Sequence, residues 1–246
     1  MDRDDARSLA LPATLLAFGA ASLLFDLGCV LIKTPFLRPG VTVGDAIETL
    51  GVYVVLAFFA RAVRLAGGSP RLAGLAAVTF AVGHGIHVAA NSLHDLADRM
   101  AAGDPFGLLD FWDEHASHYL IDVGRLLFAA SLFVLPEGPG RPGRASRSAM
   151  WLATAGGAAY GFITFASGVE GQTVPLVLPF YLVAGGWLAV TALGAAPRLG
   201  EASVRRFYAA ATVTALVFFA IWGVWHRGFP EFTETGILHG AGGRQP

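Results

Sequence analysis

The chain has one cysteine, Cys29, among 246 residues. That excludes an internal disulfide and any cysteine-built zinc cluster, so a metal site would have to be assembled from nitrogen and oxygen donors. Charge is scarce as well. Asp, Glu, Lys and Arg make up 14% of the chain, against roughly 25% in ordinary soluble domains. The formal net charge is −1; with no basic run and no interleaving of aromatic and basic residues, the sequence offers nothing to nucleic acid. There is no internal repeat, P-loop, G-x-G-x-x-G turn or G-x-S-x-G elbow, which removes the common nucleotide-binding and serine-hydrolase readings.

What is abundant is apolar surface. The chain is 54% hydrophobic with a mean hydropathy of +0.58. A helix needs about 20 apolar residues to cross a hydrocarbon core. Seven stretches qualify, at 9–32, 46–65, 73–96, 116–135, 149–169, 174–195 and 204–225. The first is too long for a signal-peptide core and mixes acids with arginines at its tip, so it reads as an uncleaved first span. The expected fold is all-α, a polytopic bundle of seven transmembrane helices forming one domain. Gly and Ala pairs such as GGAAYG and VAGGWLA suit close packing of helices in lipid.

Orientation follows from the arginines. With a cytoplasmic N-terminus, Arg3, Arg7, Arg61, Arg64, Arg71, Arg141, Arg144, Arg147, Arg198, Arg205 and Arg206 fall inside. Lys33, Arg38, Arg99, Arg227 and Arg244 fall outside, and that bias predicts N-in, C-out. Thirteen of the eighteen acidic residues and all seven histidines then belong to the outer half or the outer segments. An outward-facing cavity fed by seven helix ends is the expectation, in an integral protein of a bacterial-type plasma membrane.

Two spans carry most of the polarity. The third ends in GHGIHVAANSLHD, and at 100° per residue His84, His87, Asn91, His94 and Asp95 fall within an arc of about 100°. The fourth opens with DEHASHYLIDVGR, where Glu114, His115, His118, Asp122 and Arg125 do the same. If His94 lies level with His115, antiparallel pairing sets Asn91 near His118, His87 near Asp122 and His84 near Arg125. Ionisable groups cost at least ~2.5–3.5 kcal/mol each inside a membrane, so they face a cavity and have partners.

Imidazole with carboxylate is the ligand set of zinc, non-haem iron or manganese. The H-x-x-H pairs His84/His87 and His115/His118 can each aim two rings at one ion. The expected metal ligands are therefore His84, His87, Asn91, His94, His115 and His118, holding a divalent metal, zinc first and iron second. Glu114 or Asp122 is the expected general base, with Arg125 steadying a carboxylate or an anionic group. A metal lowers the pKa of its bound water towards ~7, which points to a hydrolase of a membrane lipid or amphiphilic small molecule. A polar network holding a water-filled vestibule without metal is the plainer alternative. A redox centre (di-iron, copper, or haem between His87 and His118) and a proton- or ion-coupled transporter are further ones. In outline the pattern resembles the seven-span zinc hydrolases of the alkaline ceramidase and progestin-receptor type. Their H-x-x-x-H in the last span is not matched, since span seven has only His226, so no residue role carries over.

Several residues have double readings. Asp26 and Glu48 are as ready to pair locally as to act. Glu170 and His226 sit at outer helix ends without an assigned role. Trp222 and Trp225 suit the lipid headgroup level. The loop from Leu96 to Trp112 reads as an interfacial lid over the cavity mouth.

Overall fold

In a membrane every backbone N–H and C=O needs an internal partner, which leaves helices as the natural state of apolar stretches this long. The computed structural model describes residues 3–32, 34–36, 38–97, 108–109, 111–133, 146–192 and 199–237. Among the described residues it is an all-α bundle of seven helices, five of them long and apolar enough to cross a membrane. The protein is an integral, multi-pass membrane protein. The helices are α1 (Arg3–Leu31), α2 (Val43–Ala66), α3 (Pro70–Ala97), α4 (His118–Phe133), α5 (Arg147–Glu170), α6 (Val174–Ala192) and α7 (Leu199–His226). A π-helical segment, Phe111–Ser117, runs directly into α4. Each expected span has its helix, with boundaries a few residues apart. Most of the expected lid, 98–107 and 110, lies outside the described residues, as do the side chains of Asn91, His94 and Asp95.

Local chemistry sets the ends. Thr42 caps α2 by accepting from the Asp45 backbone N–H, while the Asp45 carboxylate accepts from the Thr42 backbone in return. This reciprocal capping box fixes where the helix begins after a short antiparallel hairpin, β1 (Pro35–Phe36) and β2 (Arg38–Thr42). Ser146 caps α5 in the same way, through the Ala149 N–H.

Small residues decide how closely the helices meet. Gly19 of α1 and Gly156 of α5 lie backbone to backbone, and a Cβ on either would collide with the other helix's main chain. Between α3 and α4, a Cβ at Gly83 would come within 2.7 Å of the Ile121 nitrogen, and one at Gly124 within 2.8 Å of the Phe80 backbone. Phe80 therefore stands opposite Gly124, which displaces the α3–α4 register by about one turn from the expected pairing of His84 with Arg125. The close approach of two glycine-bearing helices, which a hydropathy pattern does not encode, sets that register.

The interior is divided. Phe18, Phe59, Phe128, Tyr160 and Phe207 are fully buried and stack on one another, with ring centroids 4.1 to 6.1 Å apart. This aromatic plug fills the axis below the polar groups. Above it, at the end where α1, α3, α5 and α7 finish, lies a cavity of about 300 Å³.

Candidate functional site: a histidine–carboxylate wall on a membrane cavity

The polar wall of the cavity is built by α1 to α4. Asp26 comes from α1, Glu48 from α2, His84 and His87 from α3, and His118 and Arg125 from α4. The apolar lining includes Leu27, Val30 and Leu31 of α1, Ile121 of α4, and Phe162, Ile163 and Ala166 of α5. Ser167, Glu170 and two residues of the segment after α7, Phe232 and Ile237, complete it. Five helices and this segment contribute, rather than all seven helix ends. His226 lies instead against Trp222, with ring centroids 4.1 Å apart.

Glu48 organises the first group. Its Oε1 lies 3.2 Å from His84 Nδ1 and 3.7 Å from His87 Nε2. The far nitrogen of His87, Nδ1, meets Asp113 Oδ1 at 2.8 Å. The His118 ring packs edge-on against His87 at 4.9 Å, and its Nε2 is 4.0 Å from Glu114 Oε2. His84 is held between the edges of Phe25 and Phe80, at 4.9 and 4.6 Å. Its Nε2 is buried without a hydrogen-bond partner, as is His118 Nδ1.

Arg125 organises the second group. Its guanidinium donates to Asp26 Oδ2 at 2.7 Å and to Asp122 Oδ1 at 2.9 Å, tying α1 to α4. Asp122 also accepts from Ser167 Oγ at 3.1 Å and from the hydroxyl of Thr173. The Tyr160 hydroxyl donates to the Arg125 carbonyl at 3.1 Å, which brings α5 into the same junction. With the residue 3% exposed, this arginine is affordable only because two carboxylates flank it.

The expected site residues divide accordingly. His84, His87, His118 and Arg125 share the cavity. Asp122 is completely buried, satisfied by Arg125, Ser167 and Thr173, and sits behind the wall. Glu114 is half exposed, with Oε2 4.0 Å from His118 Nε2. His115 is exposed and stacks on Phe111. The positions of the Asn91 and His94 side chains lie outside the described residues.

Asp113 was missed by helical-wheel reasoning, and the π-helical segment is the reason. Along an α-helix, Asp113 and His118 would point about 140° apart. Pairing of i with i+5 stacks residues five apart instead, so both can reach His87. Asp26 and Glu48 have no histidine on their own helices, so no spacing within those helices points to their partners.

The segment after α7 doubles back over the cavity. The Phe232 N–H donates to Glu170 Oε2 at 2.9 Å, and Trp222 Nε1 donates to the Pro230 carbonyl at 3.0 Å. Partial burial there pushes the Glu231 carboxyl above its ordinary value. Among the described residues, no three His, Cys, Asp or Glu side chains already form a metal-holding group. No protein-family model matches the chain, and neither the curated proteins nor the solved structures yield a match.

Proposed function

We propose that the protein is a membrane metalloprotein that holds one divalent ion on Glu48, His84 and His87, and uses it to hydrolyse an amphiphilic small molecule in the cavity. The observation that carries this reading is the pair of donor separations at Glu48. Tetrahedral ligands at Zn–N and Zn–O bonds of about 2.0–2.2 Å lie about 3.3–3.6 Å apart. The Glu48–His84 and Glu48–His87 separations, 3.2 and 3.7 Å, bracket that range. The Asp113–His87 contact on the far nitrogen supplies the carboxylate that typically orients a metal-bound imidazole. His118, edge-on to His87, is available as a further nitrogen donor. Nitrogen with carboxylate oxygen suits zinc first and iron second.

Such an ion would polarise an ester or amide oxygen and make a hydroxide equivalent available near neutral pH. Glu114 is the carboxylate placed to work through His118. Asp122, expected as an alternative base, instead fixes Arg125. The excess of arginine in the opposite segments supports a cytoplasmic N-terminus and an outward-facing cavity in a bacterial-type plasma membrane.

A second reading is favoured by the unbroken sequence of contacts Asp113–His87–Glu48–His84: acid–base chemistry without a metal. A transport path is disfavoured by the aromatic plug below the site. A haem between His87 and His118 would require their rings, now 4.9 Å apart, to separate. Metal analysis of the purified protein discriminates these readings. One zinc per chain is expected, lost in Glu48→Gln and His87→Ala. Wild-type protein that carries no metal and does not bind added zinc overturns the metal reading in favour of the relay. An intense Soret or ferric charge-transfer band overturns the hydrolytic one.

A further inference from the structure

The cavity has two unlike sides, and their depths differ. Asp26, Glu48, His84 and Arg125 line its inner wall, with Glu48 and His84 each 6% exposed. Leu27, Val30, Leu31 and Ile237 also line it, yet each is an exposed apolar side chain. Those four residues therefore mark the mouth. In a bilayer, a mouth ringed by exposed apolar side chains opens to lipid tails rather than to water.

The helix geometry explains why the gap exists. α1 and α5 run in the same direction and touch at Gly19 and Gly156. Seven residues further along each helix, about 10 Å higher, stand Asp26 and Ile163, both lining the cavity. Above the glycine contact both helices present larger side chains, and the cavity lies among them.

The wall also discriminates between polar groups. Arg125 is the guanidinium on the cavity, and it is already held by Asp26 and Asp122. It offers little to an anion, and the surrounding carboxylates repel one. Asp26, Glu48 and His87 also stand on this wall, a carboxylate–imidazole set that can pair with either a donor or an acceptor. An alcohol or amide can both donate and accept, so it satisfies either imidazole tautomer. A volume of about 300 Å³ stands at the low end of the ligand-pocket range, which suits one alkyl chain and not two.

We infer that the cavity takes a single-chain amphiphile from the bilayer, polar end first, through the opening between α1 and α5. The polar end is an uncharged alcohol or amide set against Asp26, Glu48 and His87, and the alkyl chain trails past Val30 and Leu31 into lipid. This deepens the proposed function by naming the substrate class and its orientation, while binding itself does not depend on the metal.

The test uses the full chain in phosphatidylcholine nanodiscs. Dodecanamide and dodecanol are expected to bind at least about tenfold more tightly than dodecanoate at pH 8, and more tightly than a two-chain diacylglycerol. A dodecanamide with a diazirine at its methyl end is expected to label Leu27, Val30, Leu31 or Ile237. Ala166→Trp fills the cavity and is expected to abolish binding and labelling while bound zinc is retained. If that variant does not fold, labelling of the wild-type chain decides. Labelling at Glu48 or His84 from the methyl end, equal binding of dodecanoate, or zinc-loaded protein that binds no probe each overturns this inference. Probe binding by a protein without metal leaves the inference standing and removes the metal reading alone.

Discussion

The two ends of the bundle both carry charge, but they carry it in opposite ways. At the end away from the cavity, Arg61, Arg64, Arg71, Arg147 and Arg206 are exposed. Where they have partners these are hydroxyls at the helix edge: Arg61 Nε with Thr14 Oγ1 at 3.2 Å, and Arg206 Nε with Thr154 Oγ1 at 2.9 Å. At the cavity end a group of charges lies inside. Arg125, Asp122, Asp113 and Glu48 are all buried, and each belongs to a contact that joins two helices or fixes a turn. Charge at the edge of a membrane is cheap and biases insertion. Charge in the interior is costly unless paired, and here it is paired: Arg125 lies between Asp26 and Asp122.

The sharpest way to break that contrast is to remove one member of an inner pair. Arg125→Leu leaves Asp26 and Asp122 buried without their cation, and is expected to cost about 3–5 kcal/mol in unfolding of the purified protein. A loss near zero would show that water reaches the junction and that the two ends are not different in kind. Next comes the contact that holds the wall together. Gly124→Val forces a side chain against the Phe80 backbone, where a Cβ would already come within 2.8 Å. The expected penalty is about 1–3 kcal/mol, with zinc affinity falling because Asp113, in the segment that runs into α4, is displaced from His87. Wild-type stability in this variant would place the α3–α4 contact elsewhere.

Asp113→Asn probes the wall without disturbing the packing. It is expected to weaken metal binding by about 10–100-fold, measured by competition with a chelating dye, while His115→Ala leaves affinity unchanged. Equal effects of the two variants would mean that the π-helical segment does not select Asp113 over His115. The smallest effect belongs to the opposite end. Arg61→Gln with Arg64→Gln is expected to change stability by less than ~0.5 kcal/mol. Its effect is on insertion: labelling of single-cysteine variants from each side should reveal a fraction of inverted chains.

The sequence made the helices legible because hydropathy and length are local properties. Seven stretches became seven helices, and the capping Thr42 and Ser146 sit where such residues start helices. Of the stripe expected on α3, His84 and His87 line one cavity, while the side chains of Asn91, His94 and Asp95 lie outside the described residues. The stripe on α4 was legible only from His118 onward. N-terminal to it the backbone is π-helical, so an α-helical wheel gave Glu114 and His115 the place that Asp113 occupies. Asp26 and Glu48 belong to no histidine-bearing stripe on their own helices and acquire meaning only beside Arg125 and His84.

The division between sequence and tertiary structure is therefore a physical one. Composition alone determined an all-α membrane bundle, because apolar stretches of this length must bond their own backbones in lipid. The arginine pattern set an expectation for orientation, and the spacing of His84 and His87 set one face. Which carboxylate meets which imidazole depended on where two glycine-bearing helices could touch, and on how a π-helical segment rotated three residues. Both are contacts between distant parts of the chain, and their energies do not exist until the helices have packed.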